Sequence, residues 1–187
     1  MIMKQLLFIV LFMMSFVSCS SEKKYVIDKY SSRSVKFEKE EIVETNGNYS
    51  LTIPKNWSFG SIPPRYSEVI FEHSFVSENN KNIISIHKVE LGDVDLKEFN
   101  ESSVRFTEEL IPLNIEKITV VDYGETDVLK YPAYFSHISR YYKVTFETIT
   151  FIMKSREEGV FYRLTIEGEE ENMSMMLQCL KSFEILK

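Results

Sequence analysis

Short segments in which apolar and polar residues alternate recur along this chain from residue 49 onward. Residues 49–53 alternate in this way before Pro54, a pattern typical of a half-buried strand. A chain built from many short strands and few helices must bury its apolar residues around a β-sheet. The same pattern, bounded by turn residues, predicts strands at Val69–Val76, Asn82–Glu90, Ile115–Tyr123, Ala133–Arg140, Val144–Lys154 and Val160–Glu167, with a short closing strand in Ser182–Leu186.

Two segments carry the period of an amphipathic helix instead. Asp95–Leu110 begins with an N-cap aspartate and has Glu98 three residues on, as in a capping box. Its apolar residues Leu96, Phe99, Phe106 and Leu110 predict the buried face, with Ser103 in the gap. Glu169–Leu180 is the second helix, with acids in its first turn and Met and Leu on one face.

The order of these elements predicts an α+β fold, an antiparallel β-sheet flanked by helices. Residues 58–68, which contain Pro63-Pro64, are expected to form a loop, and residues 124–131 a turn region. The hairpin made by 69–76 and 82–90 has a predicted register in which Phe71 and Phe75 share a face with Ile84 and Ile86.

The first 18 residues have the features of an export signal. Lys4 provides the positive start, and Leu6–Met14 is an apolar stretch too short to span a membrane comfortably. Phe16-Val17-Ser18-Cys19 resembles the lipobox of bacterial lipoproteins, which implies cleavage before Cys19 and acylation of that cysteine, palmitate included. The alternatives are an uncleaved membrane anchor and an ordinary secretory signal cut near Ser18.

These observations divide the chain into three parts. Residues 1–18 are the predicted signal peptide, 19–44 the lipidated cysteine and a polar tether that becomes ordered near Val35–Val43, and 45–187 one α+β domain. With the Cys19 sulfur in a thioether, Cys179 is left unpaired. Its place among Met and Leu predicts a buried and inert thiol.

The domain resembles the PsbP-like α/β/α sandwich over roughly residues 45–187. The resemblance rests on Tyr49-Ser50-Leu51-Thr52-Ile53-Pro54-Lys55-Asn56-Trp57, Tyr131-Pro132-Ala133, Phe161-Tyr162-Arg163-Leu164-Thr165 and the closing helix with Ser182-Phe183. It implies the fold and a tendency to act as an accessory or assembly factor. It implies no common catalytic residues, so none is carried over.

Charge and motifs exclude several classes of function. The net charge is −6, and the basic residues are interleaved with acids, which argues against nucleic acid and against a polybasic membrane patch. The sequence has no G-x-S-x-G, H-E-x-x-H, Walker or Rossmann pattern. We therefore expect no enzyme activity and no cofactor, although a carboxylate pair suited to glycoside hydrolysis is an open alternative.

The three histidines are the candidates for metal ligands. In the predicted hairpin, His73 and His87 point to opposite faces of the sheet, and His137 can share a face with only one of them. Zinc sites need three or more converging protein ligands. The sequence therefore predicts no metal site.

Aromatic residues are the remaining candidates for a binding surface. Trp57 is expected in the core under its turn, whereas Tyr66, Tyr141 and Tyr142 are candidates for an exposed surface.

The function these features predict is a membrane-anchored cell-envelope lipoprotein, on the periplasmic or surface side, with a non-enzymatic binding or assembly role toward a protein partner. The alternatives are a module that binds a small ligand or a glycan and, third, an unrecognised hydrolase.

Overall fold

The computed structural model describes residues 25–35, 37, 40–45, 48–63, 66–110 and 117–186. The predicted signal peptide and Cys19 lie outside these residues. Within them, the strands are β1 (Glu40–Thr45), β2 (Tyr49–Pro54), β3 (Ser58–Ile62), β4 (Val69–Val76), β5 (Ile83–Glu90), β6 (Lys117–Thr126), β7 (Ala133–Tyr142), β8 (Val144–Lys154), β9 (Val160–Glu169) and β10 (Glu184–Ile185). The helices are α1 (Val26–Ser31), α2 (Leu96–Leu110) and α3 (Met173–Lys181), the last preceded by a 3₁₀ turn at Glu170–Asn172.

Seven strands form one antiparallel sheet in the order β3-β4-β5-β9-β8-β7-β6, and β1-β2-β10 form a small second sheet. The main core lies between one face of the large sheet and a layer made of α1, α3 and the small sheet. Its members include Tyr49 and Leu51 of β2, Phe151 of β8 and Leu177 of α3, all fully buried. The predicted fold class, α+β with an antiparallel sheet flanked by helices, is confirmed.

Helix α2 lies on the opposite face of the large sheet. A small apolar cluster of Leu96, Ile152 and Phe161, with Phe99 packed against it, holds the first turn of the helix. Because successive strand residues point to opposite faces, these contacts come from the residues of β8 and β9 that do not enter the main core. The large sheet thus has helices on both faces, as a sandwich of this type requires.

The polar tether predicted for residues 19–44 is wrong for part of its length. Helix α1 puts Ile27 and Tyr30 in the main core, with 0% and 2% of their surface exposed, and β1 pairs with β2 from Glu40 onward. The apolar residues of α1 are too few and too widely spaced to show helical periodicity in a charged context. The ordered fold therefore begins well before the predicted boundary at residue 45.

Three further predictions need correction. Residues 58–62, expected in a loop, form the edge strand β3, which pairs with β4. Strand β6 continues through Gly124 to Thr126, where a turn was expected. Phe106, expected on the buried face of α2, is 62% exposed, whereas Asn100 and Val104 are buried. On a helical projection, Leu96, Asn100 and Val104 lie on one side, and Phe106 falls at its margin.

The predicted register of the first hairpin is confirmed. Phe75 pairs with Ile84, and His73 pairs with Ile86. The neighbouring pair, Glu72 with His87, points to the other face of the sheet.

Candidate functional site

A row of hydroxyl side chains crosses the face of the sheet on which α2 lies. The strand registers align Ser74, Ser85, Thr165, Thr150 and Ser136 across β4, β5, β9, β8 and β7. The hydroxyls of Thr150 and Thr165 are hydrogen-bonded at 3.2 Å. A sheet face under a helix is ordinarily apolar. Here the apolar residues of α2, Leu96, Phe99 and Val104, are joined at the interface by polar side chains.

A groove of about 310 Å³ therefore lies between α2 and the sheet. Its volume is at the lower end of the range usual for small-molecule sites. Strands β7, β8 and β9 form its floor, and α2 forms one wall. The lining side chains are Ser136, Ile138 and Arg140 on β7, Thr148, Thr150 and Ile152 on β8, Arg163, Thr165 and Glu167 on β9, and Phe99, Asn100, Ser103, Val104 and Thr107 on α2.

Two arginines occupy the two ends of this groove. Arg163 pairs across the ladder with Ile152 of β8, and Arg140 pairs with Phe146 of the same strand. Those two positions of β8 are six residues apart, which corresponds to roughly 20 Å along the strands. The groove is thus elongated, with an arginine position near each end and hydroxyl groups between them.

Neither guanidinium has a carboxylate within ion-pair distance among the described residues. The Nε of Arg140 is buried without a hydrogen-bond partner. Desolvation by neighbouring protein atoms lowers the pKa of Arg163, although its side chain is exposed, and Glu72 nearby opposes that shift. An arginine remains charged under such a shift. The groove therefore holds two positive charges that no acid of the described chain neutralises by direct contact.

Asn100 is a buried polar residue in the wall of the groove. Its side chain is 1% exposed, and its Nδ2 donates to the carbonyl oxygen of Phe135 at 3.0 Å. That bond fixes the orientation of the amide, because a carbonyl oxygen requires a donor. The Oδ1 atom is then directed away from the bond and has no partner. A buried acceptor without a partner is uncommon in folded proteins, and this one exposes less than 1 Å², outside the reach of a ligand.

A histidine and a carboxylate lie beside the Arg163 end. His87 pairs with Arg163 across the ladder, and its Nε2 is 3.3 Å from Glu72 Oε1. Burial lowers the pKa of His87, the charge of Arg163 lowers it further, and Glu72 opposes both effects. His87 is therefore neutral at neutral pH, and the positive charge at this end of the groove belongs to Arg163.

The tyrosines predicted as a binding surface do not converge. Tyr66 lies in the turn before β4 and is 71% exposed, whereas Tyr141 lies near the end of β7 and is 54% exposed. The strand order places them at opposite ends of the strands and toward opposite edges of the sheet. The side chain of Tyr142 lies outside what the structure describes. Neither Tyr66 nor Tyr141 lines the groove.

The histidines lie at three separate places. His73 Nδ1 is 2.9 Å from the Tyr49 hydroxyl in the main core, and His137 Nε2 is 2.7 Å from Glu147 Oε2 beneath Tyr30. Across the described ranges, no three His, Cys, Asp or Glu side chains are grouped so that they could hold a metal ion. Each histidine contacts a tyrosine or a glutamate rather than a serine or cysteine nucleophile.

Two residues occupy the places the sequence predicts. Cys179 is fully buried on the apolar face of α3 and has a free thiol, whose pKa burial raises to about 12. Trp57 is buried at 8% exposure and belongs to the main core.

The groove residues were not singled out in the sequence. The signal that marks them is the polar set of β9, Arg163-x-Thr165-x-Glu167, which alternates with buried Tyr162, Leu164 and Ile166. Such alternation is typical of a strand with one face in solvent. Only the position of α2 turns that face into a groove, and a single strand pattern carries no information on that packing.

Comparison with known structures identifies the class of fold. The solution structure of cyanobacterial PsbP (CyanoP) from Synechocystis sp. PCC 6803 matches with a TM-score of 0.57 at 12% identity, over 82% of this chain and 96% of that chain. The crystal structure of the Saccharomyces cerevisiae Ran-binding protein Mog1p matches with a TM-score of 0.52 at 12% identity, over 80% of this chain and 96% of that one. The domain therefore has the PsbP-like fold. At such identities the likeness concerns the fold alone.

Comparisons by sequence give no relative: no protein-family model and no curated protein matches the chain. None of the helices in the described ranges is long and apolar enough to cross a membrane.

Proposed function

We propose that this chain is a cell-envelope lipoprotein, anchored through Cys19, that acts as a non-enzymatic binding or accessory protein and holds its ligand in the groove under α2. The observation that carries the binding role is the pair of unneutralised guanidiniums, Arg140 and Arg163, at the ends of a hydroxyl-lined groove. The Nε of Arg140 is buried without a hydrogen-bond partner, which is costly, and a bound anion offsets that cost. The Arg163 side chain is exposed and open to a ligand.

A binding role is favoured over catalysis by the surroundings of the reactive side chains. Cys179 is buried with a raised pKa, which makes it a poor nucleophile. Glu72 and Glu147 each lie beside a histidine. Among the described residues, no serine or cysteine lies on the other side of either imidazole ring. A nucleophile–base pair of the usual kind therefore has no counterpart in this site.

The anchor is proposed from the sequence of residues 1–19, which combines an apolar stretch with Phe16-Val17-Ser18-Cys19. Tyr25, where the described fold begins, follows Cys19 by six residues. A linker of that length spans at most roughly 20 Å when fully extended. A lipid on Cys19 would therefore hold the folded domain close to the membrane surface.

Metabolic labelling with palmitate tests the anchor. We expect label in the wild type and in Cys179→Ser, and loss of label in Cys19→Ser. Both variants keep one cysteine, so the pair separates acylation at Cys19 from acylation of any available thiol. Equal labelling of the Cys19→Ser variant and the wild type would contradict the lipoprotein assignment.

Site-specific photo-crosslinking in the native envelope tests the groove. A photoreactive residue at Ser103, on the groove wall, should give an adduct that disappears when Arg163→Gln is added. The matched position is Arg105, which is exposed on the opposite side of α2. An adduct of the same kind from Arg105, or one indifferent to Arg163→Gln, would show that the groove is not the binding site.

A further inference from the structure

We propose that the groove recognises an acidic carbohydrate, an extended sugar chain that carries carboxylate groups. This proposal rests on the groove being the binding site, as proposed above, and adds the chemical class of its ligand. The groups available to recognise it are two guanidiniums and a row of hydroxyls.

The charge of the ligand follows from the state of the arginines. The chain contains 28 acidic residues against 22 lysines and arginines. In so acidic a protein, carboxylates would be expected to pair with neighbouring cations, as Glu157 does with Lys88. Arg140 and Arg163 have no such pair among the described residues, and Arg140 Nε lacks any partner. Planar guanidiniums match carboxylates by two parallel hydrogen bonds, so an anionic ligand fits both ends.

The position of the groove favours a carbohydrate over a peptide. One common mode of binding an extended peptide is to add it as a strand to a sheet edge, where main-chain groups are unpaired. The groove floor consists of β7, β8 and β9, which are interior strands with a neighbour on each side. Their main-chain groups are occupied by the ladder, so the groove offers only side-chain groups. The hydroxyls of Ser103, Thr150 and Thr165 suit a ligand rich in hydroxyl groups.

A carboxylate is favoured over a phosphate by Glu167. This half-buried acid lies on the floor between the two arginines, where it accepts a hydrogen bond from Thr148 at 3.4 Å. A carboxylate carries one negative charge and a terminal phosphate nearly two at neutral pH, so repulsion by Glu167 penalises the phosphate more.

The separation of the arginines sets the length of the ligand. The strand positions of the two arginines lie roughly 20 Å apart, a separation that an extended ligand spans more readily than a single anionic group. A chain of several acidic sugars can place one carboxylate at each end while its hydroxyls face the Ser and Thr side chains. Affinity is therefore expected to rise with chain length until both arginines are engaged.

Titration calorimetry on the full chain in detergent tests this proposal. The probe is an oligogalacturonate, and its methyl ester is the matched neutral chain with the same backbone. We expect the acid to bind and the ester to bind at least roughly tenfold more weakly, since charge-assisted hydrogen bonds are lost. Arg140→Gln and Arg163→Gln should each weaken binding of the acid roughly tenfold, and Arg156→Gln, an exposed arginine in the β8–β9 loop, should leave it unchanged.

A second variant distinguishes loss of ligand binding from loss of the folded structure. Ser103→Phe narrows the groove from the wall without changing any charge, and thermal unfolding of each variant verifies the fold. Equal affinity for acid and ester, unchanged affinity in both arginine variants, or tighter binding of a phosphorylated oligosaccharide would overturn the ligand class. If the acid fails to bind while the Ser103 cross-link still depends on Arg163, the ligand class is wrong and the groove remains the site. Loss of that cross-link as well would remove the proposed function itself.

Discussion

Cys179 shows how a single side chain is governed by its surroundings. Its thiol lies in the main core with 0% exposure, among Met176, Leu177 and Leu180 of the same helix. Burial disfavours the thiolate and raises the pKa to about 12. Because the thiolate is the reactive species, the native thiol is shielded both sterically and by its protonation state.

We expect Cys179 to react slowly with a thiol reagent in the folded protein and rapidly once the protein is unfolded. The measurement uses a Cys19→Ser background, so that Cys179 is the one cysteine present. Ser67→Cys, placed in an exposed turn, is the fast-reacting control. Native-state labelling of Cys179 at the rate of that control would show that α3 does not cover the thiol.

For single residues, the alternation of apolar and polar side chains along a strand predicts well which face of the sheet a side chain points to. Phe75 and Ile84 share the core face, which fixes His73 inward and His87 outward without knowledge of the rest of the fold. The same reasoning predicts that Arg163 points away from the core. It does not predict that α2 passes over that face, because the packing of a helix on a distant strand is a long-range contact.

Helix α1 is the element that sequence reasoning misses. Its six residues bury two large side chains, and the others are the partly exposed Val26 and three polar residues. The structure holds it by long-range contacts: Lys29 pairs with Glu170 at 2.8 Å, and Lys181 Nζ donates to the Ser31 carbonyl oxygen at 2.9 Å. Helices this short are not stable alone, so tertiary contacts determine whether one forms.

The burial of Ile27 predicts a clear stability difference within α1. Ile27→Ala should lower the free energy of unfolding by about 2–5 kcal/mol, because it removes a fully buried side chain. Val26→Ala, at a position that is 39% exposed, should change it by less than about 0.5 kcal/mol. Denaturant unfolding of the two variants measures both values. Similar small effects would mean that residues 26–31 are a tether after all.

Helix α2 was predicted with the correct limits and an incorrect buried face. Counting apolar residues alone selects Phe106, yet the sheet under α2 is polar and accepts Asn100, hydrogen-bonded to β7, in the place of an apolar residue. The spacing of apolar residues therefore identifies the helix itself securely. It identifies the buried face of that helix less securely when the opposing surface contains both polar and apolar side chains.

The revised face of α2 predicts unequal effects for two apolar substitutions. Val104→Ala should lower the free energy of unfolding by about 1–3 kcal/mol, since Val104 is 2% exposed. Phe106→Ala, which removes more atoms at a position 62% exposed, should cost less than Val104→Ala. Thermal unfolding compared between the two variants tests the ranking. A larger loss for Phe106→Ala would restore the face expected from apolar spacing.

For the whole molecule, local patterns predict most strands and the α/β/α arrangement, because alternation and turn residues are local signals. The small sheet β1-β2-β10 is not predicted, since it joins segments from both ends of the described chain. The edge strand β3 is also missed, because its exposed side chains and following prolines are typical of a loop. The elements that complete the sandwich, including the wall of the groove, thus depend on contacts distant in sequence.

Histidines on both faces of the sheet give the whole molecule a defined pH dependence. Burial lowers the pKa of His73, and burial together with the charge of Arg163 lowers that of His87. Each unfolded histidine has a pKa near 6.5. Below that pH the unfolded chain therefore binds protons that the folded protein does not bind. The histidine contribution to the free energy of unfolding is therefore fully present above about pH 6.5. It falls as the pH drops from there through the folded pKa values, by at most about 1.4 kcal/mol per pH unit for each histidine.

Denaturant unfolding between about pH 7.5 and pH 5.5, above the range in which most carboxylates titrate, should show this loss. In a His73→Gln, His87→Gln variant the slope should largely disappear. A wild-type stability that rises on acidification over this range would mean that the histidines gain favourable partners for their charged forms on folding.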